Sequence, residues 1–405
     1  MLKKNIWIIN QYAGSPQTGN PGRHYYIAKE FQKLGYDVTL ILATITHNRK
    51  FNTLDQKKRF FCENIDGINY VWIRTPEYKN THGLGRIRNW FLFSHYLKKL
   101  VSLKLNKPDL IYYSSLSLVG YLGAEYLKKY FNIPLVFEIR DIWPLTLKEL
   151  KHLRDSHPLV FFLRRIELKA YQNSDYIVSN LSNFSQYLDE NGFGTKNFYW
   201  LPNGFDGTES RIKQEYIDLP AKKYGTFRIG YTGSLGLANN MDCFIEVANR
   251  MIDHKTIEFY ILGDGPKKSD LQALCKNENV HFLPKTSKQQ VQSFLGQMDC
   301  CYIGWNDSKL YNYGIGANKF LDYMMSGKPI IHSYSGKGDP VEIFDLGITV
   351  NANDCDSLKK AILSVKSYNS ERLSLIEKNS IKALNQFYDY NVTVKELNNR
   401  ILGLL

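Results

Sequence analysis

The sequence contains no long hydrophobic run. None of its apolar stretches approaches the roughly 18 to 20 residues that a membrane-spanning helix requires. The N-terminus, MLKKNIWIINQYAG, reads as a strand after its lysines, and its apolar part is too short for a secretory signal. We therefore expect a protein that stays in the cytoplasm.

Cysteine is scarce, and none of the six cysteines belongs to a CxxC pair. The common zinc sites use closely spaced cysteines, and a cytoplasmic chain keeps its thiols reduced. We therefore predict neither a metal site nor a disulfide framework. Reduced, buried thiols are expected at Cys62, Cys243, Cys275, Cys300, Cys301 and Cys355.

Acidic residues are in the minority. The chain has 52 Lys and Arg against 39 Asp and Glu, a formal net charge of +13. Such a surplus favours an anionic partner, which could be nucleic acid, a membrane surface or a phosphorylated small molecule. No recognised nucleic-acid-binding motif accompanies the charge, so we expect no nucleic-acid partner.

What the chain does have is an alternation of short apolar strands and helical stretches, the pattern of parallel α/β domains. A composition of 43% hydrophobic and 22% charged residues fits a globular protein, and 405 residues are too many for one ordinary core. Strands are predicted at 5–10, 37–43, 68–74, 109–115, 134–140, 175–180, 227–234, 257–265, 280–284, 299–305 and 328–334.

A polar, turn-rich segment divides the predicted strands into two sets. We predict an N-terminal Rossmann-like domain at 1–203, a linker at 204–225, a second Rossmann-like domain at 226–387 and a final helix at 388–405. In such domains ligands bind just beyond the carboxyl ends of the parallel strands. Candidate site residues should therefore follow strands directly.

The loop after the first strand is rich in glycine. Gly14, Gly19 and Gly22 lead to a helix that begins near Arg23, so backbone N–H groups and a helix N-terminus could approach an anionic ligand. The GxGxxG fingerprint is absent, which gives NAD binding little support. The loop is long for such a connection, which favours function over a merely mobile loop.

The strand at 134–140 is followed by RDIWP. Arg140 and Asp141 stand at its carboxyl end, where Pro144 blocks further strand pairing. Their position favours contact with a substrate; a structural salt bridge or a helix cap is the alternative. The second half has a similar feature in GYTGSLG, where Gly233 and Ser234 offer backbone donors suited to phosphate.

The stretch GIGANKFLDYMMSGKPIIHSYSG, residues 314–336, places Asp322 in an oily helix. Gly316 precedes this helix, whose first turn offers free N–H groups to phosphate, and Asn318 and Asp322 share a face with Lys319 beside it. If the helix runs on from Gly316, Asp322 lies about 9 Å further along, the span from a diphosphate to a ribose. Asp322 would then bind the ribose hydroxyls; a Lys319–Asp322 surface pair is the alternative.

These motifs resemble the retaining GT-B glycosyltransferases of family 4 over most of the chain. The resemblance lies in GRHYYIAKEFQKLGYDVTL, FRIGYTGSLG, YILGDGP and NKFLDYMMSGKPII. RDIWP together with NKFLDYM is similar to a subgroup that adds N-acetylated deoxyhexosamines, such as N-acetyl-fucosamine, in O-antigen and capsule synthesis. The resemblance implies two Rossmann-like domains facing across a cleft, with a C-terminal helix that crosses back.

This chain departs from the family pattern at several positions. The family carries a Glu-x7-Glu pair; Asp322 matches the second carboxylate, but Gly314 stands where the first would be. Ser234 and Asn239 occupy the places of the Arg and Lys that grip the diphosphate. The histidine often found after the 134–140 strand is replaced by the RDIWP group.

The resemblance implies transfer of a sugar, with retention, from a UDP-sugar to a lipid-linked or saccharide acceptor in surface-polysaccharide synthesis. The donor would bind at Asp322, Lys319, Asn318, Gly316, Gly233 and Ser234. Catalysis would depend on Asp141 and Arg140. The acceptor would contact the loop residues Gly19, Gly22 and Arg23. The sequence has no DxD-like cluster beside a glycine loop, so no metal and no cofactor are expected. An epimerase or hydrolase of the same architecture, or a non-catalytic nucleotide-sugar-binding protein, remains an alternative.

Basic and aromatic residues interleave in two stretches of the first half. Residues 85–108 contain six basic residues, no acid, and the aromatics Trp90, Phe91, Phe93 and Tyr96, and residues 157–170 add Phe161, Phe162, Arg164 and Arg165. Such helices suit an anionic bilayer surface. We therefore predict peripheral association with the inner face of a bacterial cell membrane. The alternative is that the aromatics face the domain core.

Overall fold

The computed structural model describes residues 3–19, 21–46, 49–50, 58–78, 83–195, 197–207 and 215–405. The chain divides into two compact units. The first comprises Met1–Asp206 with Tyr390–Leu405, and the second comprises Gly207–Asp389. The predicted linker at 204–225 lies partly outside the described residues, at 208–214.

The first unit is built on a sheet whose central strands are nearly continuous apolar runs. The segments NIWII and DVTLILA are buried along almost their whole length, as strands covered on both faces must be. The strands are β1 (Asn5–Ile9), β2 (Asp37–Ala43), β3 (Ile45–Thr46), β4 (Arg49–Lys50), β5 (Phe60–Ile65), β6 (Ile68–Ile73), β7 (Leu110–Ser115), β8 (Leu135–Ile139), β9 (Tyr176–Ser179) and β10 (Phe198–Trp200).

The sheet of the first unit has the order β10-β9-β8-β7-β1-β2-β6-β5 in the described residues. Its strand pairs are parallel except for β5 with β6, which form a hairpin through Asp66 and Gly67. Both turn residues have positive φ, at 51° and 84°, as the common two-residue hairpin turn requires. The strand order reverses between β1 and β7, which makes their carboxyl ends a favoured ligand position.

Helices follow the strands of this unit. They are α1 (Gly22–Lys33), α2 (Leu84–Lys98), α3 (Leu118–Phe131), α4 (Leu145–Lys151), α5 (Pro158–Asn173) and α6 (Phe184–Glu190). None of the helices within the described ranges combines the length and apolarity needed to cross a bilayer.

The second unit has a fully parallel sheet. Its strands are β11 (Phe227–Ser234), β12 (Ile257–Asp264), β13 (Val280–Leu283), β14 (Cys300–Gly304), β15 (Ile330–Ser333) and β16 (Gly347–Val350). The order β13-β12-β11-β14-β15-β16 is the 3-2-1-4-5-6 order of a Rossmann sheet, with the reversal between β11 and β14. The helices are α7 (Met241–Arg250), α8 (Lys268–Leu274), α9 (Lys288–Gly296), α10 (Lys319–Ser326), α11 (Pro340–Ile343), α12 (Cys355–Lys366) and α13 (Ser370–Ala383).

The last helix, α14 (Tyr390–Ile401), returns to the first unit. Its apolar face is buried in that unit's core through Tyr390, Val394, Leu397 and Ile401. Two Rossmann-like sheets with a C-terminal helix that crosses back are the architecture that the sequence predicts.

One cysteine prediction is wrong. Cys243 of α7 and Cys355 of α12 form a disulfide, although all six cysteines were expected to be reduced. The partners are 112 residues apart and meet only because α7 and α12 pack side by side, so their spacing in the sequence gives no sign of the pair. Of the remaining cysteines, Cys300 and Cys301 are buried as expected, whereas Cys62 is exposed.

Candidate functional site

The carboxyl end of β11 lies at the strand reversal of the second sheet, and it is shaped by a glycine. Gly233 has a φ of 133°, and a Cβ at this position would lie 2.5 Å from the Cε atom of Lys319. A side chain here would displace Lys319 from the end of the strand. The predicted site residues Gly233 and Lys319 are therefore brought together, with Ser234 exposed beside them.

Lys319, the first residue of α10, projects onto uncharged partners. Its ammonium donates to the Tyr231 hydroxyl at 2.7 Å and to the Asn239 amide oxygen at 2.9 Å. It also lies over the Tyr231 ring, 4.3 Å from the centroid, and 5.6 Å from the Trp305 ring centroid. Within the described part of the chain no carboxylate pairs with it. Burial lowers the pKa of this ammonium to about 7.

The loop after β11 is tied down by the same residues. The Tyr231 hydroxyl donates to the carbonyl oxygen of Ser234 at 2.6 Å, and the Asn239 amide donates to that oxygen at 2.9 Å. Asn239 thereby links the loop to Lys319. Tyr231 and Trp305 were not predicted as site residues, because both lie in predicted strands, where aromatic residues are common.

Asp322 lies in the first turn of α10, but the alternative ion pair with Lys319 does not form among the described contacts. Its carboxylate is half-buried, and burial raises its pKa to about 6, although Lys288 and Gln292 act in the opposite direction. The Gln292 amide donates to the backbone oxygen of Asp322 at 3.0 Å. Asp322 is thus available to a ligand that donates hydrogen bonds.

The start of α10 corrects part of the prediction. The helix begins at Lys319 with Asn318 as its exposed N-cap, so Gly316 belongs to the preceding loop and not to the first turn. The predicted rise of about 9 Å from Gly316 along one continuous helix is therefore wrong. The first-turn N–H groups belong instead to residues that begin at Lys319, which brings the helix N-terminus and the ammonium to the same place.

The glycine loop of the first unit also differs from the prediction. Gly19 caps a short 3-10 helix with a φ of 78°, and Gly22 begins α1 with a φ of 67°. Arg23 is buried, forms an ion pair with Glu138 at 2.6 Å, and donates to the carbonyl oxygens of Leu201 and Pro202. Arg23 therefore uses these donors within the first unit, and its contact with the acceptor stays a prediction.

Glu138 and His24 form a buried polar cluster that the sequence analysis missed. Glu138 is fully buried on β8, and the neighbouring cations Arg23 and Arg140 help to hold its pKa well below the usual range against the effect of burial. His24 lies 2.8 Å from the Ser114 hydroxyl, and burial lowers its pKa to about 4. The neutral imidazole leaves Arg23 as the cation that neutralises Glu138.

Arg140 and Asp141 follow β8 as predicted, and the alternative of a mutual salt bridge or helix cap is not formed in the described residues. Asp141 is exposed, and α4 is capped by Pro144 instead. Arg140 is half-buried, and its Nε atom lies out of solvent without a hydrogen-bond partner in that part of the chain. Both side chains thus keep polar groups for a ligand.

Among the described residues, no three or more His, Cys, Asp or Glu side chains lie together so that they could hold a metal ion. The polar groups of the two candidate sites are instead amide, hydroxyl, guanidinium and ammonium donors, together with isolated carboxylates. Donors of this kind suit anionic and hydroxylated ligands.

Comparison with known proteins relates both units to sugar transfer. A model of Glycosyltransferase Family 4 matches residues 24–209, and a model of Glycosyl transferases group 1 matches residues 226–367. No curated protein sequence matches the chain significantly.

Solved structures agree with the chain along almost its whole length. Sucrose-phosphate synthase from Thermosynechococcus elongatus matches with a TM-score of 0.71 at 13% identity, covering 99% of each chain. Anabaena HepE in complex with UDP-glucose matches with a TM-score of 0.64 at 14% identity, covering 99% of this chain and 100% of that one. The lipopolysaccharide outer core galactosyltransferase WaaB matches with a TM-score of 0.61 at 16% identity, with coverage of 99% and 100%.

At these identities the likeness establishes the fold, and the two family models add the activity. Glycosyltransferase models match both halves of the chain, and its two Rossmann-like units with a returning helix follow the GT-B fold throughout. The protein is therefore a glycosyltransferase of the GT-B fold.

Proposed function

We propose that the protein transfers a sugar, with retention of anomeric configuration, from a UDP-sugar to a lipid-linked or saccharide acceptor in surface-polysaccharide synthesis. The observation that carries the proposal is the ammonium of Lys319, which is half-buried among uncharged groups at the strand reversal of the second sheet. The similarity of the RDIWP and NKFLDYM motifs to the subgroup described above favours an N-acetylated deoxyhexosamine as the donor sugar.

Lys319 is suited to the diphosphate of the donor. A buried cation without a counter-ion is costly, and an anion that enters its surroundings removes that cost. The α10 N-terminus adds the positive end of a helix dipole at the same point. Negative charge on the diphosphate grows as the sugar leaves, so donors fixed in advance favour the transition state. The proposal assigns no role to a metal ion.

Asp322 is suited to the ribose of the donor. It stands one turn along α10 from Lys319, and both hydroxyls of a ribose can donate to one carboxylate. Its raised pKa reflects an environment that disfavours an unpaired charge, which such hydrogen bonds would relieve. The complex of HepE with UDP-glucose, a protein of the same fold, supports a UDP-sugar as the donor.

The acceptor is assigned to the first unit. Arg140 and Asp141 directly follow β8 near the strand reversal of that sheet, with a half-buried guanidinium and an exposed carboxylate. Gly19 and Gly22 border the same edge through the loop before α1. We assign to Asp141 an interaction with the acceptor hydroxyl, and to the diphosphate of the donor the proton that this hydroxyl loses.

One assay separates this function from its alternatives. The protein is incubated with a panel of UDP-sugars, with and without a lipid-linked saccharide acceptor, and the products are identified by mass spectrometry. Sugar transferred to the acceptor supports the proposal. Acceptor-independent consumption of the donor would identify a hydrolase or epimerase, and binding without turnover would identify a non-catalytic protein; either result contradicts it.

We further propose that the first unit binds an anionic membrane surface through an aromatic patch, defined as Phe91 of α2 with Phe161 and Phe162 of α5. All three side chains are exposed, and Phe91 stacks on Phe162 with ring centroids 5.7 Å apart. The exposed Arg165 lies over the Phe161 ring at 4.6 Å. Aromatic rings flanked by cations suit the headgroup region of a bilayer.

The patch is smaller than the sequence predicts. Trp90 and Phe93 are buried in the first unit, and Tyr96 is half-buried, so these aromatics follow the alternative of facing the core. Arg164 is also engaged, with Glu167 and the Tyr187 hydroxyl. The exposed cations that remain near the start and end of α2 are Arg88, Lys98 and Lys99.

A further inference from the structure

Arg140 stands at the edge of the first sheet where a ligand is expected. The residue before it, Ile139, is in register with Ser115 of β7 on one side and Ser179 of β9 on the other. Arg140 therefore emerges just beyond the carboxyl end of β8, one strand away from β7, where the order of the sheet reverses. This edge is the usual ligand position of an open parallel sheet.

The nearest buried carboxylate is already neutralised. Glu138 pairs with Arg23 at 2.6 Å, and Arg23 also donates to the Asn203 side chain at 2.7 Å and to two backbone carbonyl oxygens. These contacts fix the Arg23 guanidinium against Glu138. The cluster of Glu138, Arg23 and Arg140 then carries one positive charge in excess, because His24 is neutral.

That excess charge falls on Arg140. Across the described ranges, Arg140 has neither an ion pair within 4.0 Å nor a hydrogen bond, and its Nε atom is buried without a partner. Burial and the like charge of Arg23 lower the pKa of Arg140, against the effects of Glu138 and Asp141. A guanidinium nevertheless stays charged at any working pH, so it cannot escape the cost by losing its proton.

Two further donors without partners lie at the same edge of the sheet, but the register of Ser115 with Ile139 places the Ser115 side chain on the face opposite to that of Glu138. The Ser115 hydroxyl ends β7, and the Trp143 indole N–H follows Arg140 by three residues; the structure gives neither group a hydrogen-bond partner among the described residues. Trp143 is held by Trp90 in an edge-to-face contact with centroids 5.8 Å apart. The Arg140 guanidinium, a rigid fork of N–H donors whose buried Nε has no partner among the described residues, has by itself the chemistry of an anion site.

We propose that Arg140 binds an anionic group of the acceptor, a phosphate or a carboxylate. This inference rests on the proposed function, because it takes the first unit as the acceptor unit. The diphosphate of the donor already has Lys319 in the second unit. Arg140 would thus select acceptors that carry a negative charge near the reacting hydroxyl.

The test uses small probes on the full chain saturated with UDP, so that the diphosphate position is occupied. Methyl phosphate, methyl glucuronide and methyl glucoside are titrated while the protein is observed by NMR. We expect one of the two anions to bind at least about tenfold more tightly than the neutral glucoside, the scale of one charge-assisted hydrogen-bonding contact. Comparison of the two anions distinguishes a phosphate from a carboxylate.

Variants assign the preference to this residue. Arg140→Gln should abolish the preference for the anion, Arg140→Lys should retain part of it, and Arg250→Gln, which changes an exposed arginine of the second unit, should leave it unchanged. Equal binding of all three probes, or a preference that survives Arg140→Gln, would overturn the inference. UDP affinity is measured in the same samples. If the unmodified protein binds UDP but shows no preference for the anions, this inference alone is overturned. If the unmodified protein does not bind UDP, the proposed function is overturned, and this inference with it.

Discussion

The Lys319 ammonium lies 2.7 Å from the Tyr231 hydroxyl and over the face of the same ring, with no carboxylate paired to it in the described part of the chain. Burial raises the pKa of Tyr231, so that its hydroxyl stays protonated and uncharged. This ammonium is therefore held by hydroxyl and amide dipoles and by a ring face, so that an anion can bind to it without displacing a counter-ion from among the described residues. The donor side of the account depends on this relationship.

Lys319 should take up a proton when UDP binds. Burial lowers its pKa to about 7 in the free protein, so above that pH part of the population is neutral, and a bound diphosphate raises the pKa again. Uptake should be negligible well below pH 7 and should grow as the pH rises through 7. Calorimetry near pH 8 in two buffers of different ionisation enthalpy measures it. Identical binding enthalpies in both buffers would argue against a titrating Lys319.

Asp322 should recognise the ribose hydroxyls. Asp322→Ala is expected to weaken UDP binding by about 1.5 to 3 kcal/mol, the range for a hydrogen bond to a charged group, without unfolding the protein. The unmodified protein should bind UDP more tightly than 2′-deoxy-UDP, and the variant should lose that difference. Asp270→Ala, at an exposed position of α8, is the matched control. A folded Asp322 variant with unchanged UDP affinity would refute the assignment.

Asp141 should act in turnover and not in donor binding. Asp141→Asn removes the charge while keeping the shape, and Asp141 is an exposed residue of the first unit, so folding and UDP affinity should survive. Transfer to the acceptor should fall by at least about tenfold, the scale of one hydrogen bond to a charged group. Steady-state rates and UDP titrations of the same preparation provide the comparison. A parallel loss of UDP binding would show that Asp141 belongs to the donor site.

The aromatic patch should hold the protein on anionic liposomes. More protein should sediment with anionic vesicles than with neutral vesicles, because each surface cation contributes about 1 kcal/mol of attraction to anionic lipid. The bound fraction should fall at high salt, because salt screens this attraction. The double change Phe91→Ser with Phe162→Ser should reduce binding. Tyr130→Ser, at an exposed aromatic of α3, should not. Equal recovery in the supernatant with every vesicle would leave the patch without this role.

The central strands of each sheet could be predicted because most of their residues are apolar and buried. β2 and β11 have the predicted bounds, whereas β5 was missed because it is an edge strand of mixed burial, in which polar residues follow two adjacent aromatics. The very short β10 and β16 were missed as well. Periodicity in one sequence reports burial, and strands at the margin of a sheet have little of it.

The site could be predicted in part, for a related reason. Gly233 lies at the carboxyl end of β11 and Lys319 opens α10, and the structure brings the two together. The sequence could not indicate which residues far apart in the chain pair with each other. The sequence does not show that Arg23 pairs with Glu138, 115 positions later. It also does not show that Cys243 bonds to Cys355.

The central claim is that Lys319 holds the diphosphate of a nucleotide-sugar donor, and calorimetric titration of UDP and uridine into the full chain and into Lys319→Ala tests it most directly. Because uridine lacks the diphosphate, the variant should lose far more affinity for UDP than for uridine, by about 1.5 to 3 kcal/mol of differential binding. Lys309→Ala, at an exposed position of the same unit, should lose neither. Equal losses for the two ligands, or no loss for UDP in a folded Lys319→Ala protein, would contradict the account.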